Sequence, residues 1–319
     1  MRVTGAFLKL IRWPNLVFIA LTQFLYFFCV FRSQILSPLP PVFSSYYFLL
    51  LVTASVFIAA AGYIINDYFD MHIDAINKPY KVVIDKIVKR RWAIIWHLVL
   101  SALGTLLSLY FSYKTGNWIV AAGNAFCVVL LWFYSTTFKK KLLTGNVIIS
   151  ALTAWVILVL YFAYTNMGNQ QALAFTTWNL ESFGFDIRKL FKYTVLYAGL
   201  AFIISLIREV VKDLEDMEGD SRYHCKTMPL VWGVPATKVF VGVWLVVAIA
   251  SLAILQLYAW QLGNKIIVVY NILLIIAPMI YIIKNLFKAV NSKDYHRLSN
   301  AIKFVMFTGI LSMLFFYRW

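Results

Sequence analysis

Two short segments of the chain concentrate its acidic residues. Asn66 to Asp74 reads NDYFDMHID, Asp213 to Asp220 reads DLEDMEGD, and together they hold eight of the 13 Asp and Glu residues. Both contain D-x-x-D-M-x-x-D, and Asp67 and Asp213 stand 146 positions apart. Residues four apart share a helix face, so Asn66, Asp70 and Asp74 form one stripe with Asp67 beside it. Asp216 and Asp220 form the matching pair, with Asp213 one turn earlier. Carboxylates this close repel one another, and ionising them together calls for a cation. Oxygen donors without a His or Cys cluster point to a hard ion, Mg2+, which takes one or two protein carboxylates and completes its shell with water and phosphate oxygens. Two such clusters suit a diphosphate bridged by metal ions. A solvated helix end is the plainer reading of a single DxxxD, and its repetition argues against that reading.

Basic residues flank both segments: Lys78 and Lys81 after the first, Arg208, Lys212, Arg222 and Lys226 around the second. Fixed cations at these positions would stabilise a departing diphosphate. A third segment, Tyr134 to Asn146 (YSTTFKKKLLTGN), adds Tyr134, Lys139 to Lys141 and a Gly-Asn pair. Arg12 and Asn15 bracket Pro14, a residue pre-set for the first turn of a helix. They read equally well as an interfacial anchor and a cap. His72, His97, His224 and His296 form no HxxxH pattern and are expected to be structural or solvated. Cys29, Cys127 and Cys225 form no CxxC pair and read as small buried hydrophobes. The chain has no P-loop, no GxGxxG after a strand and no GxSxG elbow, which removes support for nucleotide-driven transport and serine hydrolysis.

The elements that must position these residues follow from composition. With 62% hydrophobic and 13% charged residues, and a mean hydropathy of +0.78, the chain is an integral membrane protein with no residues left for a second soluble domain. Apolar runs predict an all-α, polytopic fold of nine spans, near 14–34, 46–66, 92–112, 118–137, 147–164, 192–209, 236–258, 266–286 and 301–317. The first run is too long for a signal peptide and lacks its cleavage site. The formal charge of +16 is unevenly placed, with 22 of 29 Lys and Arg beside the amino terminus and the connections on its side. That bias predicts an N-in, C-out orientation and makes the charge topological rather than a nucleic-acid footprint. Both acidic segments then lie at the cytosolic ends of spans two and six. Four spans separate them, which suggests two parallel four-helix repeats and a ninth helix within a single domain, 1–319.

Taken together these residues resemble the UbiA superfamily of intramembrane prenyltransferases over nearly the whole chain. Asn66, Asp70 and Asp74 match its first Asp-rich motif, and Asp216 and Asp220 its second. The resemblance implies that these residues hold Mg2+ and that Asp67, Asp213 and Tyr134 act in catalysis. It also implies that Arg12, Asn15, Lys78, Lys81, Lys139, Arg208 and Lys212 bind the diphosphate. Phe138 replaces the Leu of the YS-x-x-L-K element and Lys81 replaces the usual Arg, while Val82 to Val88 (VVIDKIV) departs from the family's Pro- and Gly-containing pattern. The implied reaction is Mg2+-assisted ionisation of a polyprenyl diphosphate and capture of the allylic cation by a membrane-soluble acceptor. The run REVVKDLEDMEGD from Arg208 most resembles enzymes that prenylate geranylgeranylglycerol phosphate in lipid biosynthesis; an aromatic quinone precursor is the alternative acceptor. A bacterial or archaeal inner membrane, with the site facing the cytosol, is the expected location.

Two other membrane activities fit the residues less well. A CDP-alcohol phosphotransferase also uses Asp-rich helix ends, but Met71 and Met217 stand where its motif has Gly, and no Ala-Arg follows. A secondary transporter would carry carboxylates near the bilayer midplane, whereas these cluster at one boundary.

Overall fold

The computed structural model describes residues 2–34, 45–79, 82–165 and 187–317. Among these residues, nine helices are long and apolar enough to cross a membrane. A backbone in hydrocarbon finds no water to bond, so apolar runs of this length close their hydrogen bonds internally as helices. A short amphipathic helix, α1 (Arg2–Leu10), precedes the first span. The spans then run α2 (Trp13–Leu25, continued by a π segment Tyr26–Phe31), α3 (Ser45–Asn77), α4 (Arg90–Thr115), α5 (Trp118–Thr136), α6 (Thr144–Thr165) and α7 (Ile187–Glu215). After the short helices α8 (Met217–Arg222) and α9 (Met228–Val231) come α10 (Gly233–Gln261), the pair α11 (Lys265–Asn271) and α12 (Ala277–Lys288) joined by a π turn, and α13 (Ser292–Leu311).

The helices outrun the apolar stretches that announce them. At 1.5 Å per residue, the 33 residues of α3 extend about 50 Å, against roughly 30 Å of hydrocarbon. The surplus carries Asn66 to Asp74 out of the apolar zone on an unbroken helix. The 29 residues of α7 do the same for Arg208 to Glu215. α13 begins nine residues before its apolar run because Asn291 and Asp294 form a capping box on a polar first turn.

The described residues divide into two compact units: 2–137 with 155–197 and Tyr317, and 138–154 with 198–316. In the first unit, helices join through buried polar groups. Gln23 Nε2 donates to Ser55 Oγ and to the Val156 carbonyl, both at 3.0 Å. Asn124 links Ser108 and the Trp155 indole at 2.8 and 2.9 Å. His97 Nδ1 donates to the Ala61 carbonyl at 3.0 Å, a structural role. Where lipid removes the hydrophobic driving force between helices, such bonds and close packing hold them together. Gly104 supplies the close packing of α4 on α3, since a Cβ there would stand 2.7 Å from Ile58 Cγ1.

In the second unit the core is a set of stripes at three- and four-residue spacing: Val241, Leu245, Ala248 and Leu252 on α10, Met279, Ile282 and Leu286 on α12, and Tyr295, Leu298, Ile302 and Val305 on α13. Pro278 cannot donate to the carbonyl four residues back, at Leu274. The π turn Ile272–Ile276 absorbs the ring, and Thr308 Oγ1 donates to that carbonyl at 2.9 Å. Thr308→Val keeps the side-chain volume and removes the donor. It is expected to cost about 0.5–1.5 kcal/mol, the scale for one net hydrogen bond, read as a lowered unfolding temperature in detergent. An unchanged temperature would mean that the carbonyl needs no partner.

Candidate active site

The first Asp-rich segment lies on one continuous helix, so its stripe forms as the spacing requires. Asn66 and Asp70 are buried, at 9% and 3% exposure, and Asn66 Nδ2 donates to Asp70 Oδ2 at 2.7 Å. That bond fixes the amide and leaves Asn66 Oδ1 buried without a hydrogen-bond partner among the described residues. A buried carbonyl oxygen with nothing to accept from is costly. Beside a carboxylate, a cation satisfies both. Asp74 is half-buried one turn on, and its carbonyl accepts from the Lys78 N–H at 2.8 Å as the helix ends.

Asp67 faces a different partner. Arg12 Nη2 donates to its Oδ1 at 2.6 Å, and the guanidinium lies 5.3 Å from the Tyr63 ring centroid. The Asp67 charge holds the Arg12 guanidinium above its ordinary pKa. Arg12 reaches this position through a left-handed backbone, φ 51°, at the corner between α1 and α2, a conformation that costs on the order of 1–2 kcal/mol for an L-residue. Asn15 opens the next turn, its N–H donating to the Arg12 carbonyl at 2.8 Å. Arg12 therefore serves Asp67, a partnership its spacing alone did not reveal.

The divergent segment after the motif is packed rather than loose. Val83, Ile84 and Val88 are buried with Ala6 and Leu10 of α1 in one apolar cluster that also takes in Met71. Arg90, which sequence reasoning did not single out, pins it: Nε lies 3.0 Å from Asp85 Oδ2, and Nη2 lies 3.7 Å from Met71 Sδ. Lys81 falls outside the described residues. Tyr134 sits in the last turn of α5, partly exposed.

The second segment departs from a single helix. α7 stops at Glu215, Asp216 takes φ −101° and ψ 8°, and α8 resumes at Met217. The turn stays closed, with the Asp220 N–H donating to the Asp216 carbonyl at 3.2 Å, and Asp220 is 7% exposed. Asp213 Oδ2 accepts from Asn146 Nδ2 at 2.7 Å, and Glu209, Asp220 and Lys139 are its charged neighbours. Gly145 sets Asn146 in place, since a Cβ there would stand 2.9 Å from both Lys139 Cα and the Phe138 carbonyl oxygen. The Lys226 N–H donates to the Lys140 carbonyl at 2.8 Å, joining this connection to the one after α8. Arg208 and Lys212 both donate to Glu209 Oε1, at 3.1 and 2.7 Å. Asn146 belongs to the Gly-Asn pair of the third segment and Glu209 lies between two basic residues, but neither carries a signal of its own in the sequence.

Each unit thus presents a helix end rich in oxygen donors. Among the described residues, no three Asp, Glu, His or Cys side chains gather as a ready-made cage. This donor set fits Mg2+, which needs only one or two carboxylates from the protein.

The sequence profile of the UbiA prenyltransferase family matches residues 25–311. A digeranylgeranylglyceryl phosphate synthase of Methanosphaera stadtmanae is 26% identical over 83% of this chain and 86% of its own. Its counterpart from Methanothermobacter thermautotrophicus is 28% identical over 62% of this chain, which spans 61% of that relative's length. A solved digeranylgeranylglyceryl phosphate synthase structure matches with a TM-score of 0.58 and 25% identity, covering 98% of this chain and 99% of that one. A UbiA homolog from Archaeoglobus fulgidus bound to DMAPP and Mg2+ shares the fold with a TM-score of 0.56 at 15% identity, covering 96% of this chain and 98% of that one.

The close approach at Gly145 makes a direct prediction. Gly145→Ala has to push backbone atoms of Phe138 and Lys139 aside, so hydrogen exchange across residues 138–146 is expected to quicken. Gly199→Ala, where a Cβ meets nothing within 4 Å, is expected to leave exchange unchanged or slower. Equal exchange in the two variants would show that the connection tolerates displacement.

Proposed function

The chain belongs to the UbiA prenyltransferase family, and from that premise we propose that it transfers a polyprenyl group, geranylgeranyl, from its diphosphate to geranylgeranylglycerol phosphate. The observation that carries this reading is the Asn66–Asp70 pair, where a buried amide oxygen without a protein partner stands beside a buried carboxylate. The glyceryl phosphate acceptor is supported by the names of the archaeal relatives. Asn66, Asp70 and Asp74 would hold one Mg2+, and Asp216 and Asp220 another. Bound there, the metal supplies Lewis-acid neutralisation of the diphosphate as it leaves.

The protein's own groups carry the remaining roles. The allylic C–O bond breaks with its electron pair leaving on the diphosphate oxygen, and Lys78, Lys81, Lys139, Arg208 and Lys212 steady that charge. Tyr134 donates a hydrogen bond to the same group. The acceptor hydroxyl oxygen then bonds to the allylic carbon and gives up its proton. Asp213, held by the neutral Asn146 amide, is the better proton acceptor. Asp67, ion-paired to Arg12, holds that guanidinium at the start of the first span. Arg12 and Asn15 frame the start of the first span, with Arg12 acting through Asp67. The reading places this chemistry at the cytosolic face of an archaeal or bacterial membrane.

Purified protein incubated with geranylgeranyl diphosphate, a panel of glycerol-phosphate and aromatic acceptors, and either Mg2+ or EDTA is expected to yield a Mg2+-dependent prenylated glycerol phosphate by mass spectrometry. An aromatic product instead would overturn the acceptor, and an intact donor under every condition would overturn the reaction. Asp70→Asn and Asp216→Asn are expected to lower turnover by about 10²–10³-fold, the scale for one lost contact to developing charge, with membrane insertion unchanged. Full activity in either variant would remove the metal assignment.

A further inference from the structure

Glu209 has no part in the reaction above, yet two of the cations assigned to the diphosphate are arranged around it. A single oxygen, Oε1, accepts from Arg208 Nη1 at 3.1 Å and from Lys212 Nζ at 2.7 Å. All three side chains are mostly buried, at 15%, 13% and 26% exposure for Arg208, Glu209 and Lys212. The Arg208 Nε is buried without a hydrogen-bond partner among the described residues. Glu209 therefore occupies one end of the guanidinium and leaves a donor on another edge unused, although a guanidinium fork is well matched to phosphate oxygens.

Charge explains why an acid belongs there. Arg208 and Lys212 lie one helical turn apart, where like charges repel, and the helix has only just left the apolar zone. Glu209 brings the local sum of the three groups from +2 to +1. It thereby keeps both cations ordered while the site holds no anion, and it opposes any anion that arrives.

We propose that Glu209 is a positioning residue of the diphosphate subsite, a resident counter-anion that orients Arg208 and Lys212 and competes with the diphosphate for them. It thereby limits how tightly the leaving group is retained. The inference rests on the reading of Arg208 and Lys212 as diphosphate ligands. Removing the Glu209 charge raises the pull on a polyanion at ion-pair range, which outweighs the side-chain order lost with it.

The test is inhibition of prenyl transfer by inorganic pyrophosphate, with Mg2+ present, in the purified full-length protein. Glu209→Gln is expected to bind pyrophosphate about tenfold more tightly, the scale of one partly screened unit charge, and to lose kcat in multiple turnover while a single turnover proceeds. Unchanged or weaker pyrophosphate binding would overturn the proposal, because a merely structural Glu209 would give that result. Should Glu209→Gln fail to fold, Glu209→Met removes the same charge with a side chain of similar length. It is expected to shift pyrophosphate binding in the same direction, and no shift would again overturn the proposal. Arg208→Gln and Lys212→Gln separate the two levels of inference. If both leave pyrophosphate binding intact while the wild type forms product, the subsite assignment fails and the proposed function stands. If the wild type forms no product, the proposed function fails, and calorimetric titration with pyrophosphate still decides the role of Glu209.

Discussion

Carboxylates at the edge of a hydrocarbon layer are stable only when something replaces the water they lose, and the organisation of both helix ends follows from that requirement. The protein uses a different replacement at each position. Asp67 receives a guanidinium, Asp70 a side-chain amide, Asp213 another amide, and Glu209 two cations at once. The choice of partner decides what each group can do. A carboxylate paired with a permanent cation has its charge already matched, whereas one held by a neutral amide is left to meet a metal ion. The left-handed turn at Arg12 and the glycine at position 145 follow from the same requirement, since each is a backbone feature that delivers a partner to an acid.

Much of this was legible in the sequence, and the limits have physical causes. The spans appear as apolar runs because lipid selects for them, and the paired Asp-rich segments appear because their spacing repeats. Apolar runs mark the spans and not the helix ends, as at α3 and α13, because hydropathy stops where polar residues begin while backbone hydrogen bonding does not. The buried face of α10 was invisible, because Val241 inside and Val243 facing outward are equally apolar. Asn146 could be noticed but not assigned, since its partner Asp213 lies 67 positions away. The bend at Asp216 also gave no warning, because its sequence copies a segment that is straight.

Within the apolar zone, cohesion comes from a few well-placed polar atoms and from shape. Gln23, Asn124 and His97 each bond to a neighbouring helix or side chain that has no water to turn to. Thr308 does the same for a carbonyl released by Pro278. These contacts resist sliding of one helix past another, because a shift by one residue leaves both partners unsatisfied. Rigid spans are what allow sub-ångström arrangements of charge to persist at their ends.

The apolar cluster shared by α1 and the segment around Val83 has a consequence for how the chain is made. α1 is synthesised before every other helix, and the residues that join Ala6 and Leu10 in the cluster come from α3 and from the segment that follows it. Docking of α1, and with it delivery of Arg12 to Asp67, requires α3, which supplies Ala60, Ile64 and Met71 to the same cluster as well as Asp67 itself. Charge pairing at the first helix end would report, residue by residue, that insertion of the second span has finished.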